Sequence, residues 1–71
     1  MNITLRQLRA FIAVAELGQF NLAARHLHLT QSAVSILVRD LETEIGVRLF
    51  DRHTRMVSLT LVGQEFLPQA R

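Results

Sequence analysis

Apolar positions at the start of the chain fall at Leu5, Leu8, Phe11, Ile12 and Ala15, a helical spacing that runs up to Gly18. Thr4 followed by Gln7 has the form of a capping box, so the pattern predicts a first helix over residues 5–17. Asn21 then offers an N-cap for a short helix over residues 22–28, whose Leu22, Ala23, Ala24 and Leu27 suit close packing on one side. Leu29 interrupts, Thr30 supplies another hydroxyl cap, and Val34, Leu37, Val38, Leu41 and Ile45 trace one stripe until Gly46. A third helix is expected over residues 31–45.

Beyond Gly46 the period changes. Val47, Leu49, Val57 and Leu59 alternate with Arg48, Ser58 and Thr60, which predicts two short strands joined across residues 51–56. The connection Arg52-His53-Thr54-Arg55 has no glycine for a tight turn, so an exposed loop is expected there. Thr60 can cap a last helix in which Leu61, Val62, Phe66 and Leu67 form an apolar face despite Gly63 and Pro68. The order helix, helix, helix, hairpin, helix describes a mainly α fold, a winged helix-turn-helix over residues 1–59, with residues 60–71 opening a further helix. No internal repeat, linker or second domain interrupts it.

Composition narrows the class. Half of the 71 residues are apolar and spread along the chain, a globular rather than a disordered composition. Without cysteine, stability must come from packing alone, which at this length leaves roughly 3 to 5 kcal/mol. No apolar run approaches the roughly 20 residues that span a bilayer, and Met1-Asn2-Ile3-Thr4 lacks the features of a secretion signal. The expectation is a cytoplasmic protein with no membrane partner. The net charge is only +2. Its distribution says more, because every basic residue other than histidine is arginine, the planar donor suited to phosphate and guanine, and Arg48, Arg52 and Arg55 cluster.

At about 100° per residue, the stripe on the third helix leaves Ser32, Ser35, Ile36, Arg39 and Thr43 on or near the opposite face, with Gln31 in the first turn. The second helix of a helix-turn-helix enters the major groove by its N-terminal part, where Gln pairs with adenine and Ser with several bases. Gln31, Ser32 and Ser35 are therefore the expected base readers. Ile36, nearly opposite the core, is read as a contact to a thymine methyl, against the alternative of one more scattered exposed apolar residue. Arg39 has two readings, a phosphate contact or a partner for Asp40, Glu42 or Glu44. Arg52 and Arg55, on the loop, suit the minor groove or phosphates, and Asn21 and Thr30, at helix starts, would face phosphates.

Rival classes fit less well. His26, His28 and His53 with Asp40, Glu42 and Glu44 are the best material for an enzyme, but His26 and His28 lie two apart on a helix and point different ways. No nucleophile triad or phosphate loop is present, and no cofactor is expected in this domain. A protein-docking winged helix is the other rival, and RNA is disfavoured because a folded helix cannot enter the A-form major groove.

The chain resembles the N-terminal domain of LysR-type transcriptional regulators over essentially its whole length. The resemblance lies in Leu5-Arg6-Gln7-Leu8-Arg9-Ala10-Phe11, Phe20-Asn21-Leu22-Ala23-Ala24, Leu29-Thr30-Gln31-Ser32-Ala33-Val34-Ser35, Leu41-Glu42, the run from Ile45 to Arg52, and Leu59-Thr60 with Gly63. It implies operator-DNA binding as a homodimer through a linker helix starting near Thr60, and higher homo-oligomers of the full-length protein. It also implies a separate C-terminal domain that binds a small-molecule effector. The family's base-reading positions fall on Gln31, Ser32, Ser35 and Ile36, and its wing arginine on Arg55. At Ile36 the chain departs from the Arg or other polar residue that relatives commonly place there.

Overall fold

A computed structural model describes residues 2–52 and 57–71, and it has the element order α1 (Leu5–Leu17), α2 (Phe20–Leu27), α3 (Gln31–Ile45), β1 (Phe50–Asp51), β2 (Ser58–Leu59) and α4 (Leu61–Ala70). The fold is the expected winged helix-turn-helix. α1, α2 and α3 pack against one another, and α4 lies on α1 and β2. β1 and β2 form an antiparallel pair with Phe50 opposite Leu59 and Asp51 opposite Ser58.

Local chemistry accounts for the helix ends. At α1 the Thr4 side chain accepts from the Gln7 amide at 3.2 Å while the Gln7 side chain accepts from the Thr4 amide at 3.1 Å, a reciprocal capping box. Gly18 closes α1 with φ 77°, a left-handed conformation that glycine adopts without steric cost. That bend turns the Gly18 carbonyl to accept the Val57 amide at 3.1 Å, tying the approach to β2 onto the end of α1.

α2 corrects the expected boundaries. It begins at Phe20 after Gln19, so Asn21 lies in its first turn and is not the N-cap. Starting there places Phe20, Ala23, Ala24 and Leu27 at i, i+3, i+4 and i+7, which turns all four toward the core. Packing of that face outweighs the capping preference of Asn21. The helix ends at Leu27 because His28 takes φ 58° and ψ 42°. Its amide bonds back to the Arg25 carbonyl and the Leu29 amide to the Ala24 carbonyl, a Schellman closure with histidine where glycine is usual.

The core is built from small residues and a run of aromatic rings. Ala10 of α1 and Ala23 and Ala24 of α2 are buried, small side chains on two helices that pack against each other. The chain's four phenylalanines join its layers. Phe11 of α1 sits 5.4 Å from the rings of both Phe50 and Phe66, and Phe50 meets Phe20 of α2 edge-on at 6.1 Å. Each such pair adds about 0.5 to 1.5 kcal/mol to the burial of its rings. Full burial of a side chain such as Phe11 contributes about 1.5 to 3 kcal/mol.

The strands also depart from expectation. They occupy Phe50–Asp51 and Ser58–Leu59, and the expected strand around Val47 and Leu49 is absent. Val47 is exposed, while the Leu49 amide donates to the Glu42 carboxylate rather than to a neighbouring strand. The Leu49 carbonyl accepts from the Thr60 amide at 3.0 Å, and the Thr60 hydroxyl donates to the Arg48 carbonyl at 2.7 Å. The same hydroxyl oxygen caps α4 by accepting from the Gly63 amide.

Gly63 is explained by close approach. A Cβ there would run into the Leu49 carbonyl oxygen and stand 2.9 Å from the Leu59 side chain. In an unencumbered helix Gly63→Ala would stabilise by about 1 kcal/mol. Here the overlap with backbone dominates, and the substitution is expected to destabilise by about 1 to 3 kcal/mol. Urea unfolding of the two proteins checks the sign.

Candidate nucleic-acid interface

The side chains expected to meet a partner are arranged by α3 and the turn before it. Thr30, with extended backbone, accepts from the Ala33 amide at 3.0 Å and fixes where α3 begins. Gln31 and Ser32 then stand exposed on its first turn. Val34, Val38 and Leu41 are buried against α1 and α2, so the opposite side of α3 presents Ser32, Ile36, Arg39 and Thr43 to solvent. Ser35 is half-buried at the edge of this face.

Ile36 is 46% exposed, a large aliphatic group held off the core between polar neighbours. Arg39 is exposed and, among the described residues, makes no ion pair with Asp40, Glu42 or Glu44. The Thr43 hydroxyl donates to the Arg39 carbonyl at 3.0 Å and is thereby engaged within the helix. Asn21 is exposed in the first turn of α2.

Arg52 is placed otherwise than expected. Its guanidinium lies 2.9 Å from the Glu42 carboxylate and 5.0 Å from the centre of the Phe20 ring, so it is turned onto the body of the fold. Glu42, named from the sequence as one candidate partner of Arg39, is buried. One of its oxygens accepts from the amides of Leu49 at 2.7 Å and Phe50 at 3.3 Å, and the other accepts from Arg52. Burying a carboxylate is costly unless its oxygens are satisfied, and three donors do so here. A signal for this existed: Val34, Val38 and Glu42 follow one another at i+4 spacing, so the acid continues the buried row.

β1 and β2 form the base of the wing. His53 and Arg55 lie outside the described residues. Among the described residues no three His, Asp or Glu side chains gather as a metal site, and no helix is long and apolar enough to cross a membrane. On α4, Phe66 and Leu67 pack on the core, while Leu61 is 71% and Val62 42% exposed.

The sequence profile described as "Bacterial regulatory helix-turn-helix protein, lysR family" matches residues 5–64. The chain belongs to the LysR family. It is 54% identical over 67 residues to the transcriptional regulator ShiR of Corynebacterium glutamicum, a match that covers 94% of this chain and 23% of ShiR. The chain thus spans less than a quarter of that relative's length. Among solved structures, a complex of the CbnR DNA-binding domain with DNA superposes with a TM-score of 0.92 at 43% identity, covering 96% of this chain and 78% of that one. The BenM DNA-binding domain, solved on benA site 1 DNA, superposes with a TM-score of 0.90 at 39% identity, over 94% of this chain and 75% of that one.

The cap that sets the start of α3 in this LysR-family domain is open to test. Thr30→Ala is expected to lower stability by about 1 kcal/mol, and Thr30→Asn, which keeps an acceptor, to restore most of it. Thermal unfolding followed by circular dichroism measures both.

Proposed function

We propose that this chain is the sequence-specific, double-stranded-DNA-binding domain of a cytoplasmic LysR-type transcriptional regulator. The observation that carries the reading is the exposed face of α3, where a capped N-terminus presents Gln31 and Ser32 beside Ile36 and Arg39 on the second helix of a helix-turn-helix. A helix about 10 to 12 Å across fits the B-form major groove, about 12 Å wide. The CbnR and BenM domains, solved on DNA, have the same fold.

With α3 in the groove, the residues take distinct roles. Gln31 pairs with adenine and Ser32 and Ser35 reach base edges, while Ile36 packs on a thymine methyl. Arg39, Asn21 and the amides around Thr30 hold phosphates and set the register. Arg55 of the wing serves the minor groove or the flanking phosphates. The open Leu61 and Val62 of α4 suit a homodimer through this helix, and two copies would then read paired half-sites. A small-molecule effector would act through a separate domain.

Selection from a randomised duplex pool, followed by titration at several salt concentrations, tests the reading. Binding is expected to favour the selected duplex over scrambled DNA and to weaken with salt by about 0.9 logarithmic units per phosphate neutralised. Gln31→Ala is expected to lose discrimination, while Arg55→Ala weakens binding to all duplexes alike. No binding at low salt would sink the proposal in favour of a docking role.

Ile36 has its own test. Replacing the contacted thymine by uracil removes one methyl and is expected to cost the parent protein about 1 kcal/mol. An Ile36→Ala variant should be indifferent to that change. Equal sensitivity in both proteins would return Ile36 to the scattered apolar residues of an ordinary surface.

A further inference from the structure

Arg52 is the first residue past β1, and its charge is committed inward. The guanidinium meets Glu42 at 2.9 Å and lies over the Phe20 ring at 5.0 Å, with its side chain 31% exposed. The Glu42 carboxylate also holds the amides of Leu49 and Phe50, the residues that lead into and open β1. Glu42 is an α3 residue and Phe20 an α2 residue. One charge pair therefore joins both helices of the helix-turn-helix to the strand that carries the hairpin. Because a helix is stiff over three turns, holding Glu42 also holds β1 in a set relation to Gln31, Ser32 and Ile36 on the far part of α3.

We infer that the Glu42–Arg52 pair, seated on Phe20, is a positioning device that sets the hairpin against the recognition helix so that both engage one duplex, and that Arg52 itself is not a DNA contact. This rests on the DNA-binding reading. Arginine suits the post because its planar fork reaches a carboxylate while its face lies on an aromatic ring. A lysine would keep the charge and lose the second contact.

The sign of one substitution separates positioning from direct contact. If Arg52 held a phosphate, Glu42→Gln would remove a competing negative charge and leave binding equal or tighter. If the pair positions the hairpin, the same change loosens it and binding weakens although the protein has become more positive. The parent chain, Glu42→Gln, Arg52→Met, Arg52→Lys and the Glu42→Gln/Arg52→Met double variant are titrated on a duplex selected by the parent. Titrations run at a temperature where circular dichroism shows each to be folded, and hydroxyl-radical cleavage maps the protected sugars.

Each single variant, Glu42→Gln and Arg52→Met, is expected to bind about tenfold more weakly, with the double variant no weaker than either. Arg52→Lys should fall between Arg52→Met and the parent. Protection by the recognition helix should persist while protection flanking it fades. Unchanged or tighter binding by Glu42→Gln, or losses that multiply in the double variant, would overturn the inference. So would variants that melt earlier yet bind like the parent when folded, since the pair would then serve stability alone. A parent that binds no duplex overturns the DNA reading beneath it, a result visible before any variant is made.

Discussion

The placement of the hairpin depends on one buried carboxylate. Glu42 sits on the inner side of α3, where a charge without partners would cost several kcal/mol. It stays because the chain beyond Gly46 turns back and offers the amides of Leu49 and Phe50 and the guanidinium of Arg52. The Leu49 amide is thereby engaged by Glu42, and the strand pairing is made by Phe50 and Asp51 with Leu59 and Ser58.

Around this point the core closes in layers. Phe50, whose amide donates to the same carboxylate, packs at a tilt against Phe11 and reaches Phe20, and Phe66 completes the group from α4. Gly63 permits α4 to lie against the Leu49 carbonyl, and Thr60 ties the start of that helix to the Arg48 carbonyl. In a domain this small, with no disulfide, such shared contacts do the work that volume does in larger proteins. Glu42 and Phe50 each hold several elements at once.

The outward consequence is that the inner side of α3 is fully occupied. Val34, Val38, Leu41 and Glu42 face the body of the fold, which leaves Ser32, Ile36 and Arg39 outside on a rigid support. Rigidity matters to sequence reading, because base-edge hydrogen bonds discriminate only if the side chains arrive in register. The arrangement fits the proposed role of this LysR-family domain, in which phosphate contacts would orient the protein and a few exposed side chains would choose the sequence.

Much of this was legible along the chain. The first and third helices were readable to the residue, since Thr4 with Gln7, Thr30, Gly18 and Gly46 are local signals acting over one turn. The exposed face of α3 followed from its period, and the family from the order of the motifs. What local reading missed was decided by contacts between segments distant in sequence. Phe20 joined α2 because its ring meets Phe50, which overrode the cap at Asn21. The strands lie at Phe50–Asp51 and Ser58–Leu59, where the Glu42 carboxylate holds the amides of Leu49 and Phe50 from across the fold. Arg52 turned from the loop surface to Glu42 and Phe20, ten and more residues away in the chain. Periodicity and capping report the energy of one turn or one face. Which buried charge finds which donor is settled only when the layers meet, because that balance depends on desolvation and a partner's position, and neither is written locally.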